Sequence, residues 1–401
     1  MRILLTNHLP LHGSESGAFT RDLAVGLERA GHQVRALVVD EREAGDEPFH
    51  VRRIVCRGGE TSADLPFALP SFSAPTPSRQ SFDTLSDDQL AQYREELRRH
   101  LDEEIAEFDP HVIHAQHIGI LGHLALEAGV PYVLGATGAD LLSFQADDRY
   151  RRFAEEAAEN AGRILAASER IRRQVLATFD VADERAETLA KAIDLRPYES
   201  PPTRAMALAR IGLPLPVGPL VTFVGRLAAH KGIDTLLNAA AVYESHPARP
   251  TTLIVGDGIQ RVELEAQARR LGLERVRLVG EQPPAFCVAA YVAADLVVLP
   301  SRGDTSGRVA LEALATGTPV LAAAAGSLTE IVDDQTGGLV PTDDHELLAA
   351  GVMRAIDEDW KRTKGPAAGA RVRKHYNIDD RVPWIVERYE RAVADRGGRV
   401  T

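Results

Sequence analysis

Three stretches of this chain have residue types and spacing that could do chemistry. The first is residues 301–319, SRGDTSGRVALEALATGTP. It reads as the end of a buried strand, a short polar turn, and a helix whose first turn carries Gly307, Arg308 and Val309. Such a junction offers backbone N–H groups without intrahelical acceptors at the positive end of a helix dipole, and both attract a phosphate oxygen. Asp304 precedes the helix and Glu312 lies inside it, two carboxylates able to accept from the hydroxyls of one ligand. The plainer use of Arg308 and Glu312 is an i,i+4 surface pair worth ~0.3–0.5 kcal/mol. Leu311, Ala313 and Leu314 make the surroundings apolar, which favours a Glu312 near a cleft.

The second stretch is Gly225-Arg226-Leu227, followed by Lys231-Gly232 opening a helix. A lone lysine is ordinarily a surface cation. At a helix N-terminus, however, a cation is unfavourable unless an anion is close, so Arg226 and Lys231 together fit a diphosphate. The third is HVIHAQH, which places His114, Gln116 and His117 at the end of a strand, where imidazoles can serve as catalytic groups. Zinc is the rival use of the histidine pair, but no Cys, Glu or third His with ligand spacing accompanies it. The acidic run Asp357-Glu358-Asp359 lies in a polar helical stretch and reads as a solvated face. The opening turn PLHGSESG, ending at Gly17, is a glycine-containing strand-to-helix loop that does not match GxGxxG.

These stretches must be held by strands. The first half alternates β-branched runs at residues 3–6, 33–39, 51–55, 112–115, 132–135 and 164–167 with amphipathic helices, the mark of βαβ units. One helix is expected from Phe19 to the C-cap Gly31, another after the N-cap Ser86, and a third after Ser168. Residues 57–85 form a long segment without periodicity, expected to be irregular. Residues 197–219, rich in proline, read as a linker, and the alternation restarts at 220–224, 252–255, 276–279, 296–299 and 320–323. The expected architecture is α/β, two doubly wound parallel-sheet domains, 1–196 and 197–376, facing a central cleft. The tail, 377–401, is expected to form a helix that packs back on the first domain. Ligands of such sheets bind at the carboxyl ends of the strands, where all three stretches fall.

The chain has 401 residues, enough for two cores, and a formal net charge of −12 that argues against a general nucleic-acid or anionic-membrane surface. Its 2 cysteines, Cys56 and Cys287, support neither a disulfide framework nor a thiolate metal site. No apolar run reaches the roughly 20 residues of a membrane span, and no leader is recognisable, so a cytoplasmic protein is expected, a monomer or homodimer.

With these residues assembled, the chain resembles a retaining glycosyltransferase of the GT-B fold, family 4. The specific parts are GRLAAHKG, LIVGDG, VRLVGEQP, ADLVVLPS and DTSGRVALEALATGTPV; GAFTRDLAVGLERAGHQV, HVIHAQH and GADL fit the first domain more loosely. The resemblance implies a nucleotide-sugar donor on the second domain, with UDP expected as the nucleotide, and a small soluble acceptor on the first. Arg226 and Lys231 would neutralise the leaving diphosphate. Glu312 would bind the ribose hydroxyls, and Ser306, Gly307, Arg308 and Val309 would hold phosphate. Gly17 would let the first loop approach the donor, and Asp304 would hold the transferred sugar. His117 or Gln116 would take the place of the family's strand-end histidine. His114, Thr137, Asp140 and Lys191 are the acceptor-side residues, Lys191 hinting at an acceptor that bears phosphate. No cofactor and no metal is implied. The sequence departs from the family pattern at Asp304, one methylene shorter than the usual glutamate, at Gln116, at Thr137 and at Lys191. A nucleotide-sugar epimerase of the same fold and a non-catalytic nucleotide-sugar binder are the two alternatives.

Overall fold

The apolar runs become two parallel sheets. The structure is a computed structural model and describes every residue except 44, 73–78, 139–140, 142–146, 214–217, 304–305 and 398–401. In chain order the strands are β1 (Arg2–Asn7), β2 (Gln33–Asp40), β3 (His50–Val55), β4 (Leu69–Ser71), β5 (Arg79–Ser81), β6 (Val112–Gln116), β7 (Tyr132–Ala136), β8 (Arg163–Ala166) and β9 (Ala186–Thr188). They continue with β10 (Leu220–Val224), β11 (Thr251–Val255), β12 (Val276–Leu278), β13 (Leu296–Leu299), β14 (Val320–Ala323) and β15 (Gly337–Val340). A 7-stranded sheet has the order β3-β2-β1-β6-β7-β8-β9 and a 6-stranded sheet the order β12-β11-β10-β13-β14-β15. Both reverse direction beside their first strand, which makes each a doubly wound α/β sheet. The chain divides into two compact units, Met1–Asp194 with Ile378–Thr401, and Leu195–Asn377.

The first sheet is covered on both faces, which is why its strands are continuously apolar. Ile3, Leu5, Val112, Val133 and Leu165 join one cluster with Leu23 and Leu27 of the helix Glu15–Arg29. Val382, Ile385 and Tyr389 of the C-terminal helix Val382–Gly397 complete that cluster. Their chain neighbours Leu4, Ile113, Leu134 and Ile164 point the other way, against Tyr93, Leu97 and Leu101 of the helix Asp87–Phe108. This alternation is the period-two pleat at work. Each fully buried side chain of this kind contributes about 1.5–3 kcal/mol.

Four expectations are corrected. The first helix begins at Glu15, not Phe19, because the Ser14 hydroxyl accepts the Gly17 N–H and caps it a turn earlier. Residues 57–85 are not wholly irregular. Cys56 bridges Leu65, β4 pairs with β5, and Leu65, Phe67, Leu69, Phe82 and Leu85 are buried in the same cluster as Tyr93. The apolar residues of that segment are unevenly spaced, which hid their role. Residues 197–219 contain most of a short helix, Arg196–Glu199, and a second, Arg204–Arg210, whose Ala207 and Leu208 are buried against Ala289 and Ala293. The strands β9 and β15 were not anticipated; the sequences AET and GGLV carry no strand signal and are ordered by pairing with β8 and β14.

Candidate active site

In the second unit the loops that follow β10, β11 and β13 are knitted together by backbone contacts. After β10, the Gly225 N–H donates to the Val255 carbonyl at 2.9 Å and the Leu227 N–H to the Asp257 carbonyl at 2.8 Å, which fixes half-buried Arg226 between them. Ala229–Lys231 then make one 3-10 turn. Gly232 follows with φ 67° and opens the helix Ile233–Tyr243. A Cβ on Gly232 would sit 2.1 Å from the Pro300 carbonyl oxygen, so only glycine allows this approach to the end of β13. Arg302 closes the junction from the other side. Its N–H donates to the His230 carbonyl at 2.8 Å, and its guanidinium donates to the Ala229 carbonyl and, at 2.7 Å, to both Asp234 and Asp343. The Lys231 turn and the start of the 301–309 loop therefore move as one piece.

That loop leads into the helix Arg308–Ala315 through Gly307, φ 65°. A Cβ there would lie 2.2 Å from Ile331 Cδ1. The Arg308 N–H donates to Ser306 Oγ at 3.2 Å, and the next amides, starting with Val309, open on the positive end of the dipole as in any helix. One turn on, Arg308 Nε donates to Glu312 Oε1 at 2.7 Å, while the Tyr291 hydroxyl donates to Glu312 Oε2 at 2.9 Å. The surface-pair reading of Arg308 and Glu312 is thus half right. The pair exists, but the second oxygen is gripped from the core by a tyrosine only 1% exposed. Burial, followed by the Glu312 charge, raises the Tyr291 phenol well above its ordinary value, so it remains a donor. The same two causes push the Cys287 thiol up to about 12 and keep it inert.

The first unit builds its strand ends differently. Gln116, paired in register with Gly135, is 3% exposed and turns into the sheet. Its Oε1 takes the space of the missing Gly135 side chain, 2.6 Å from where a Cβ would be. Its amide nitrogen lies 3.3 Å from His114 Nε2, and His114 Nδ1 lies 2.7 Å from the Tyr389 hydroxyl. His114 is fully buried, and burial lowers its pKa to about 3, so it is neutral. It supports Gln116 from inside the sheet and cannot touch an acceptor, which corrects its place among the acceptor-side residues.

His117 comes next with φ 89°, a backbone region that non-glycine residues rarely adopt and that concentrates at functional sites. Its N–H donates to the Gly135 carbonyl at 3.0 Å, and its Nδ1 is 3.5 Å from Thr137 Oγ1. Phe72 and His8 wall the ring at centroid distances of 4.7 and 5.8 Å. His8 is in turn held by the Tyr93 hydroxyl, 2.8 Å from its Nδ1. Burial first, and then His117, lowers the His8 pKa well below its ordinary value.

Of the remaining residues, Gly17 is buried, and a Cβ on it would meet the Pro10 carbonyl oxygen at 1.8 Å, so the loop's own packing demands a glycine there. Lys191 is half-buried in the loop after β9. Asp140 and Asp304 lie outside the described residues. Among the described residues one group, Asp64, Glu96 and His100, brings ligand atoms within 4.8 Å of one another. The Arg99 guanidinium already occupies it, 2.7 Å from Glu96 and 2.9 Å from His100 Nε2.

Sequence reasoning missed Tyr291, Arg302, Phe72 and His8. Tyr291 leaves one signal, a single aromatic in the small-residue stretch AAYVAAD directly before β13. Phe72 has none, since it reaches His117 only through the β4–β5 pairing.

Residues 218–358 match the family described as glycosyl transferases group 1, and residues 15–191 match a glycosyl transferase 4-like domain. A D-inositol 3-phosphate glycosyltransferase of Salinispora tropica is 30% identical over 98% of this chain and 85% of its own length. Its counterpart in Salinispora arenicola is 31% identical over 97% and 90%. The chain belongs to the group 1 glycosyltransferases. The GT-B fold expected of this glycosyltransferase is also that of solved structures. Sucrose-phosphate synthase from Thermosynechococcus elongatus superposes with a TM-score of 0.76 at 22% identity, covering 98% of this chain and 99% of that one. Anabaena HepE, solved in complex with UDP and glucose, gives 0.71 at 22% identity over 96% and 98%. Among the described residues of the glycosyltransferase, no helix is long and apolar enough to cross a membrane.

Proposed function

We propose that the chain transfers a sugar from a uridine diphosphate sugar to a small soluble acceptor, with retention at the anomeric carbon and without a metal. The observation that carries the donor side is the fused junction of β10 and β13, where the Lys231 turn is tied through Arg302 and Gly232 to the loop that starts the helix Arg308–Ala315. Arg226, Lys231 and the helix start supply the positive charge that a departing diphosphate requires, the charge that a divalent cation supplies elsewhere. Ser306 and the helix start from Gly307 to Val309 hold phosphate, with the amides from Val309 onward facing it, Glu312 holds the ribose hydroxyls and Asp304 the transferred sugar.

The first unit binds the acceptor. His117, set in a strained backbone beside Thr137, hydrogen-bonds at the reacting centre, and Gln116, turned into the sheet beside His114, fixes the end of β6 from which His117 departs. Asp140 and Lys191 complete the acceptor side. The leaving phosphate accepts the acceptor's proton on the face of attack. A phosphorylated cyclitol is the first acceptor to try, because the relatives above are named for D-inositol 3-phosphate and because Lys191 offers a cation.

The test is incubation with UDP-glucose and a panel of polyol and sugar phosphates in the presence of EDTA, with products read by proton NMR. An α-linked product with UDP release is expected. A β-linked product would overturn retention. A donor epimerised in the absence of any acceptor would mark an epimerase, and a donor bound tightly without turnover across the panel a binder.

A further inference from the structure

The two grips on Glu312 come from opposite kinds of residue. Arg308 reaches Oε1 along the surface of its own helix, a pair whose side chains are 19% and 16% exposed. Tyr291 reaches Oε2 from the core of the helix Pro284–Ala293, which packs beside it. The tyrosine is itself immobilised. Its ring is buried, and its carbonyl accepts the Thr318 hydroxyl at 2.7 Å. A carboxylate has about four acceptor positions, two on each oxygen. Among the described residues one protein donor lands on each oxygen of Glu312, which leaves one acceptor position on each. That is the pattern a cis-diol satisfies, one hydroxyl per oxygen.

We propose that Tyr291 is a positioning residue that sets the plane of the Glu312 carboxylate so that it accepts both ribose hydroxyls of the donor, and that the Tyr291 hydroxyl thereby determines discrimination between ribose and deoxyribose nucleotides. The inference rests on the reading of Glu312 as the ribose-binding residue. Without the phenol, the carboxylate keeps its charge and its Arg308 partner but is free to rotate about its Cγ–Cδ bond. One of the two hydroxyls then loses a pre-aimed acceptor, while contacts to the base and phosphates are untouched.

The test uses the whole chain and two probes, UDP and 2′,3′-dideoxyuridine 5′-diphosphate, with calorimetric titration of the wild type and of Tyr291→Phe. Phenylalanine keeps the ring that packs and removes only the hydroxyl, and a circular-dichroism melt confirms the fold. The wild type is expected to prefer UDP. In Tyr291→Phe that preference should fall by about fivefold, the scale of one ordinary hydrogen bond, with the dideoxy affinity unchanged within about twofold. Equal preference in the two proteins overturns the role of Tyr291 and leaves the donor-site reading standing. A loss of affinity that is the same for both probes overturns it too, because it marks the hydroxyl as packing only. A wild type that does not distinguish the probes removes Glu312 from the ribose, and the inference falls with that reading.

Discussion

The strand ends of the two units solve the same problem with different materials. In the second unit the candidate site is mostly backbone: glycines at 232 and 307 allow approaches of 2.1 and 2.2 Å to a would-be Cβ, and Arg302 ties two loops through carbonyls. In the first unit it is mostly side chain: His117, His8, Phe72 and Tyr93 in one aromatic cluster, with Gln116 and His114 paired next to Tyr389. Backbone amides and a dipole recognise a phosphate whatever is attached to it. Packed rings and imidazoles recognise shape and hydroxyl pattern. A chain that takes one donor class but a particular acceptor needs the first kind of site in one unit and the second kind in the other.

The contrast can be broken by substitution on either side. Lys231→Ala should give the largest effect, a fall in kcat of about 10²–10³, since it removes charge that acts mainly on the departing diphosphate. Steady-state kinetics would check it, and turnover within twofold of wild type would remove Lys231 from the chemistry. His117→Ala should lower kcat by about 10² while leaving UDP affinity unchanged. A matching loss of UDP binding would erase the proposed division between the units. Gly307→Ala should destabilise the chain by about 2 kcal/mol, because the left-handed backbone and the Ile331 methyl both resist a Cβ. A thermal melt within 1 °C of wild type would show that the junction is less rigid than described, where about 1 kcal/mol shifts a domain of this size by ~2–4 °C.

The last expected effect concerns pH. His114 is held neutral, its pKa lowered by burial from 6.5 to about 3. Between these values the unfolded chain binds the proton and the folded chain does not. Stability therefore falls as pH drops through that window, by up to ~1.4 kcal/mol per pH unit for this one group. Glu104, whose pKa burial raises but the Arg52 and Arg35 hydrogen bonds more than offset, adds acid sensitivity at lower pH. The His114 share is isolated by comparing melts of wild type and His114→Gln from pH 6.5 to 4; parallel slopes would show that His114 is protonated in the fold.

Much of the fold was legible because buried parallel strands are continuous apolar runs, and β1, β6, β10 and β13 announce themselves that way. Strands such as β9 and β15 do not, since pairing and not composition orders them. The site was legible in the same measure. Lys231, Gly307 and Glu312 stand in the turns and helix that follow β10 and β13, in order along the chain, so their spacing exposes them as candidates. Tyr291 contributes through packing between helices and Phe72 through the β4–β5 pairing, relations that no linear spacing encodes. The placement of Gln116 was equally hidden. Only the register of β6 on β7 shows that it fills the space above Gly135.

The proposal stands or falls on whether the second unit is a nucleotide-sugar donor site read by Glu312. Calorimetric titration of UDP-glucose into wild type and Glu312→Ala, both in EDTA, tests it most directly. Saturable binding by the wild type is expected, with affinity weakened by about tenfold or more in the variant, the scale of hydrogen bonds to a charged group. Equal affinity in the two proteins, or no binding by the wild type to UDP-glucose, would contradict it.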